Sequence, residues 1–157
     1  MEGVPISSNT LFGKSMGMEQ RDYLQRQIEQ AGKVLGQLLA KATGMKNKGS
    51  ASEEMEQVDQ TLTNELDLSI GELTGIPVDQ LVNTLLEKQT VFAENFEQLA
   101  DLLVQLAEGS DGRDGDHHAA ALYQRALALY EYVDQTGSVF SFNRHSKMQK
   151  IRDLLES

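Results

Sequence analysis

Leu24, Ile28, Ala31, Leu35, Leu38 and Ala42 succeed one another at intervals of 4, 3, 4, 3 and 4 residues. At 3.6 residues per turn these positions make one stripe on a helix, whereas a strand would divide them between its two faces. The pattern predicts a long amphipathic helix over residues 18–43. Beside it runs a narrower stripe of small residues, Gly32, Gly36 and Ala40, each four apart. Each interior glycine costs a helix roughly 1 kcal/mol relative to alanine. Close approach of a second element offsets that cost, so this helix is expected to pack on two sides.

The same period recurs downstream. Gly44 is placed to cap the first helix, with the lysines of Met45–Lys48 complementing its dipole. Ser52, followed by Glu53, Glu54 and Glu56, reads as the N-cap of a second helix with Met55, Val58, Leu62 and Leu66 inward. Gly71, Gly75 and Pro77 mark a break, with Ile70 and Leu73 tucked into the core. Pro77 opens a third helix whose core positions are Leu81, Val82, Leu85 and Leu86. The stripe Phe92, Phe96, Leu99, Leu102, Leu103 and Leu106 belongs to another helix. No Gly or Pro separates it from Leu86, and a break near Thr90 is expected because one unbroken helix from 77 to 108 would be long for a compact domain. Further helices span about 116–136, ended by Gly137, and about 142–156, with Met148, Ile151, Leu154 and Leu155 inward. No segment alternates with period two. The expectation is an all-α antiparallel bundle of five or six helices. Residues 1–17 form a flexible tail, and 18–157 form one domain with N-terminal helices to 89 and a C-terminal half from 90.

Composition narrows the functions. A chain of 157 residues suits a single core. The absence of Cys excludes disulfides, thiolate metal sites and a Cys nucleophile. No apolar run approaches the roughly 18 residues of a membrane span. The early Glu2 and the short apolar runs do not match a secretory signal, so a cytoplasmic location is expected. With 14 basic against 24 acidic side chains the net charge is −10, which opposes sequence-independent nucleic-acid binding. The charge is uneven. Residues 1–48 carry 7 basic and 4 acidic groups, residues 49–141 carry 3 and 18, and residues 142–157 carry 4 and 2.

The segment from Ala119 to Tyr130 resembles the second helix of a tetratricopeptide repeat. Ala119, Tyr123 and Ala126 fall on its small, aromatic and small positions. Phe96, Leu99, Ala100 and Leu103 match the first-helix pattern more loosely. The loop at 109–116 is longer than such a repeat usually has, and the usual closing Pro is missing. The opening stretch Asp22–Gln30 resembles a family of small bacterial helical proteins with a repeat-like C-terminal half, a likeness that implies no activity. The repeat resemblance implies a concave helical surface that grips a peptide.

Few residues suggest chemistry. The loop Asp111–His118 does not place ligands at calcium-loop spacing, and adjacent His117 and His118 point about 100° apart on a helix. Gly44–Ser50 and Gly13-Lys14-Ser15 only partly match a phosphate loop. Carboxylate pairs such as Glu94 with Glu97 lie on polar faces, and His145, between Arg144 and Lys147, has no evident Ser or Asp to orient it. No cofactor, metal ligand or catalytic residue is assigned. The expected function is therefore a non-catalytic protein-interaction module, with Tyr123, Tyr130, Arg144 and Lys147 as candidate contacts for a protein or peptide. Arg144, Lys147, Lys150 and Arg152 would receive an acidic segment. The alternatives are a homodimer or larger self-assembly through the 24–42 face, and, with less support, a small metal-dependent enzyme using His117 and His118.

Overall fold

The stripe from Ala31 to Ala42 is buried along one helix, α1 (Val4–Lys48), against which the helices Ala51–Leu66 and Phe96–Gly109 pack. A computed structural model describes the backbone of residues 4–48, 51–109 and 116–156. Within these, the side chains of 4–19, 45–48, 51, 52, 54 and 116–118 lie outside the description. After α1 come α2 (Ala51–Leu66), α3 (Ile70–Gly75), α4 (Leu81–Lys88), α5 (Phe96–Gly109), α6 (Asp116–Thr136) and α7 (Phe142–Glu156). Short 3-10 turns at Val78–Gln80 and Ala93–Asn95 precede α4 and α5, and the described residues contain no strand. The chain is all-α. The described residues hold one more α-helix than the upper expectation, because the short segment at 70–75 forms a helix of its own.

The first helix exceeds its expected limits at both ends. Backbone helix begins at Val4, where an irregular tail to residue 17 is expected, and Pro5 falls in the first turn, where its missing N–H breaks no intrahelical bond. At the other end α1 passes through Gly44, which is therefore no cap: nothing lies within 4 Å of where its Cβ would stand. At 45 residues α1 is about 68 Å long at 1.5 Å per residue. Val34 joins the buried stripe, whereas Leu24 is exposed because the part of α1 around it has left the bundle.

The stripe of small residues has a direct counterpart. Gln98 of α5 donates from Nε2 to the Gly32 carbonyl at 3.2 Å, and Asn95 donates from Nδ2 to the Ile28 carbonyl at 3.0 Å. A Cβ on Gly32 would stand 3.1 Å from the Gln98 Oε1. The glycines thus let two amide side chains reach the main chain of α1. Residue pairs 28–95 and 32–98 both ascend, so α1 and α5 run parallel.

Other joints are equally local. Asp67 adopts a left-handed φ of 54° to end α2, and Ser69 Oγ accepts the Glu72 N–H at 2.9 Å to start α3. Gln89, with φ 61°, ends α4 near the expected break. The next helical start is fixed by Asn95, which is buried and accepts the Phe92 N–H at 3.0 Å through Oδ1. Arg125, buried on α6, donates to the carbonyls of Thr74 at 2.9 Å and Ile76 at 2.8 Å, placing its cation at the C-terminal end of α3. Helices α6 and α7 occupy the expected spans. Leu86 and Leu154, expected inside, are exposed, and Ser52 lies within the first turn of α2 instead of capping it.

Gly44 and Gly32 of α1 should respond differently to alanine. Gly44→Ala fills open space and should raise the urea midpoint, with a gain of roughly 1 kcal/mol. Gly32→Ala pushes Gln98 from its carbonyl and loses about 1 kcal/mol of hydrogen bonding, which cancels the gain. A fall in stability for Gly44→Ala would mean that α1 ends at that glycine after all.

Candidate functional site

The cations of α7 meet the chain's own acids. Arg144 is only 5% exposed; its guanidinium pairs with Asp134 of α6 at 3.1 Å and Glu97 of α5 at 3.3 Å. Lys147 pairs with Asp101 at 2.9 Å, Arg152 with Glu131 at 3.2 Å, and Lys150 more loosely with Glu108 at 4.0 Å. The charge asymmetry read from the sequence is thus largely an internal matching of α7 to α5 and α6. Arg144 is too buried to meet a partner directly.

What Arg144 does is hold a loop. Its Nη2 also donates to the Val139 carbonyl at 3.2 Å, and its main-chain N–H donates to Ser141 Oγ at 3.1 Å. Gly137 closes α6 by donating its N–H to the Val133 carbonyl at 2.8 Å; a Cβ at Gly137 would lie the same 2.8 Å from that oxygen. His145 Nε2 lies 2.7 Å from Asp134 Oδ1, and its ring stands 4.5 Å from that of Phe140. The acidic orienter that the sequence did not reveal is therefore Asp134, brought over by the α6–α7 turn. Desolvation opposes the charge of Asp134, but hydrogen bonds from Arg144 and His145 outweigh it and hold the carboxyl below the usual aspartate range. On this fixed elbow Val139, Phe140 and Phe142 are 75%, 66% and 79% exposed. Sequence reasoning missed these three; the signal was an apolar cluster in a turn between two helices.

The other three candidate contacts gather elsewhere. Tyr123, Tyr130 and Lys147 line one cleft of about 340 Å³ between α1, α5, α6 and α7. Its apolar walls include Leu39, Val104, Ile151 and Leu154. Tyr130 is fully buried and donates its phenol proton to Asp101, while the Lys147 ammonium lies 5.8 Å from the centre of its ring. Burial and then the bond to Asp101 push the Tyr130 phenol well above the usual tyrosine range. Parallel α5 and α7 bring Asp101 and Glu108 from one wall to Lys147 and Lys150 on the other.

The loop Asp111–Gly115 lies outside the described residues, as do the side chains of His117 and His118. Among the described residues no group of three or more His, Asp or Glu could hold a metal ion, and no helix is long and apolar enough to cross a membrane. Both partial phosphate loops begin within α1, and no strand precedes them among the described residues. Comparison with protein-family models, curated proteins and solved structures finds no match to this chain.

Because folding raises the Tyr130 pKa, the neutral phenol stabilises the fold. That contribution is complete below the unfolded value of about 10 and is lost as pH rises beyond it. The thermal midpoint of the wild type should fall more steeply above about pH 10 than that of Tyr130→Phe. Parallel curves for the two proteins would contradict the burial of a protonated Tyr130.

Proposed function

We propose that this domain is a non-catalytic protein-interaction module, and that it engages its partner through the elbow between α6 and α7. The observation that carries the reading is the exposure of Val139, Phe140 and Phe142 on a turn fixed by Arg144. Three adjacent large apolar side chains in solvent differ from the scattered single ones of an ordinary surface. A turn already held in place loses little conformational freedom on binding, so more of the apolar burial appears as affinity. Aromatic anchors on a rigid support match the few residues that dominate binding energy in protein interfaces. The likeness of α5 and α6 to a tetratricopeptide hairpin is consistent with this role and names no partner.

Self-assembly through the 24–42 face has less support. Ala31, Leu35, Leu38 and Ala42 are buried within the chain, which leaves Leu24 as the exposed apolar member of that stripe.

Affinity capture from the native cell lysate, read by mass spectrometry, tests the proposal. The wild type and a control, Leu86→Ser, should retain the same stoichiometric protein, and Phe140→Ser with Phe142→Ser should lose it. Equal recovery by all three, or recovery of the bait alone, would count against the elbow.

A further inference from the structure

His145 stands where the charge cluster of the elbow meets its exposed aromatic side chains. On one side its Nε2 lies 2.7 Å from Asp134 Oδ1 of α6, the oxygen that also accepts Arg144 Nη2 at 3.1 Å. On the other its ring faces that of Phe140, with centroids 4.5 Å apart and planes inclined at 42°. The His145 side chain is 42% exposed, so solvent protons reach it. Histidine is the side chain whose charge ordinarily changes between about pH 5 and 8.

Which nitrogen takes the proton follows from the contacts. Asp134 is held as a carboxylate by Arg144 and accepts only, so Nε2 carries a hydrogen and donates it. Nδ1 is left as the basic atom. The charged groups that face the ring are Asp134 from α6, Arg144 of its own helix and, through Arg144, Glu97 from α5. Lys147 is turned to Asp101 and Tyr130 instead. With His145 neutral, two carboxylates share a single guanidinium; with His145 charged, cations and anions are equal in number.

Uptake of a proton changes what the ring does to Phe140. A cation within about 6 Å of an aromatic centroid is attracted by the negative face of the ring, a contribution that a neutral imidazole lacks. The bond to Asp134, now between opposite charges, holds the imidazolium in place. Arg144 fixes the main chain of the elbow through the Val139 carbonyl and leaves the Phe140 side chain to His145.

We propose that His145 is a proton-sensitive clamp on Phe140: a proton taken from solvent onto Nδ1 locks the Phe140 ring in its exposed pose, and loss of that proton releases it. The clamp is closed at the acid end of the histidine range and opens as pH rises through it. A protein partner that takes Phe140 as an anchor is then bound more tightly in acid, because the rotamer freedom of the ring is given up before the encounter. That consequence rests on the interaction reading; the clamp itself does not.

The test is solution NMR of the full chain at about pH 5 and about pH 8, with the wild type beside His145→Gln. Vicinal couplings give the Phe140 χ1 populations, and cross-relaxation gives the contact between its ring and the side chain at 145. In the wild type the ratio of the held rotamer to the rest should rise about threefold on acidification, with the ring-to-ring cross-peaks strengthening in step. In His145→Gln, a half-exposed position whose change leaves the fold intact, the ratio should not respond to pH, although His117 and His118 remain. Equal rotamer populations at both pH values in the wild type would overturn the clamp, as would the same pH dependence in the variant. The capture experiment bears on the elbow as a docking site and not on the clamp.

Discussion

Two amide side chains, Asn95 of the turn before α5 and Gln98 of α5, rest on the main chain of α1 and set the geometry on which the rest of this bundle depends. A helical carbonyl uses one lone pair within its own helix and can accept a second hydrogen bond when a donor reaches it. Glycine at position 32 opens that approach, and Asn95 and Gln98 fill it. Apolar packing alone would allow α5 to slide along the stripe from Ala31 to Ala42. Directional bonds to the Ile28 and Gly32 carbonyls fix both the register and the parallel sense. Asn95 has a second task, since its Oδ1 holds the Phe92 N–H and so marks where the segment before α5 turns into helix.

Once α5 is fixed, its acidic face sets the position of α7. Glu97, Asp101 and Glu108 descend one side of the helix and meet Arg144, Lys147 and Lys150 in the same order. Partly buried pairs of this kind do not stabilise by charge alone, because desolvation offsets the attraction. They do specify register: a shift of α7 by one turn would set each cation against the wrong group. The by-product is a fixed surface feature. Arg144 cannot hold Asp134, Glu97 and the Val139 carbonyl without also fixing the turn that projects Phe140 and Phe142. Fold specificity and surface presentation thus share one buried guanidinium.

Much of this was legible in the sequence because helical period and turn chemistry are local signals. The stripes through Leu35, Leu62, Leu99 and Ile151 identify buried faces, and Gly137 ends α6 because a Cβ there would strike the Val133 carbonyl. The small stripe at Gly32 announced a close neighbour, though not that amide groups would fill the space. Other features depend on long-range contacts. Gln89 turns left-handed with no glycine to announce it. The pairing of His145 with Asp134 and the placement of Arg125 over the end of α3 join residues that no spacing rule connects. The four candidate contacts are divided for the same reason: charge pattern picked out Arg144 and Lys147 as exposed cations, and tertiary packing gave each an acidic partner.

The most direct test of this account is equilibrium urea unfolding of Asn95→Ala. Removing the amide leaves the partly buried Phe92 N–H without its partner and releases α5 from the Ile28 carbonyl. The account predicts a loss of about 2 kcal/mol or more, the cost expected when backbone partners are stranded away from water. A change within about 0.5 kcal/mol, the range of ordinary surface substitutions, would contradict it and leave the α1–α5 register to Gln98 and apolar packing.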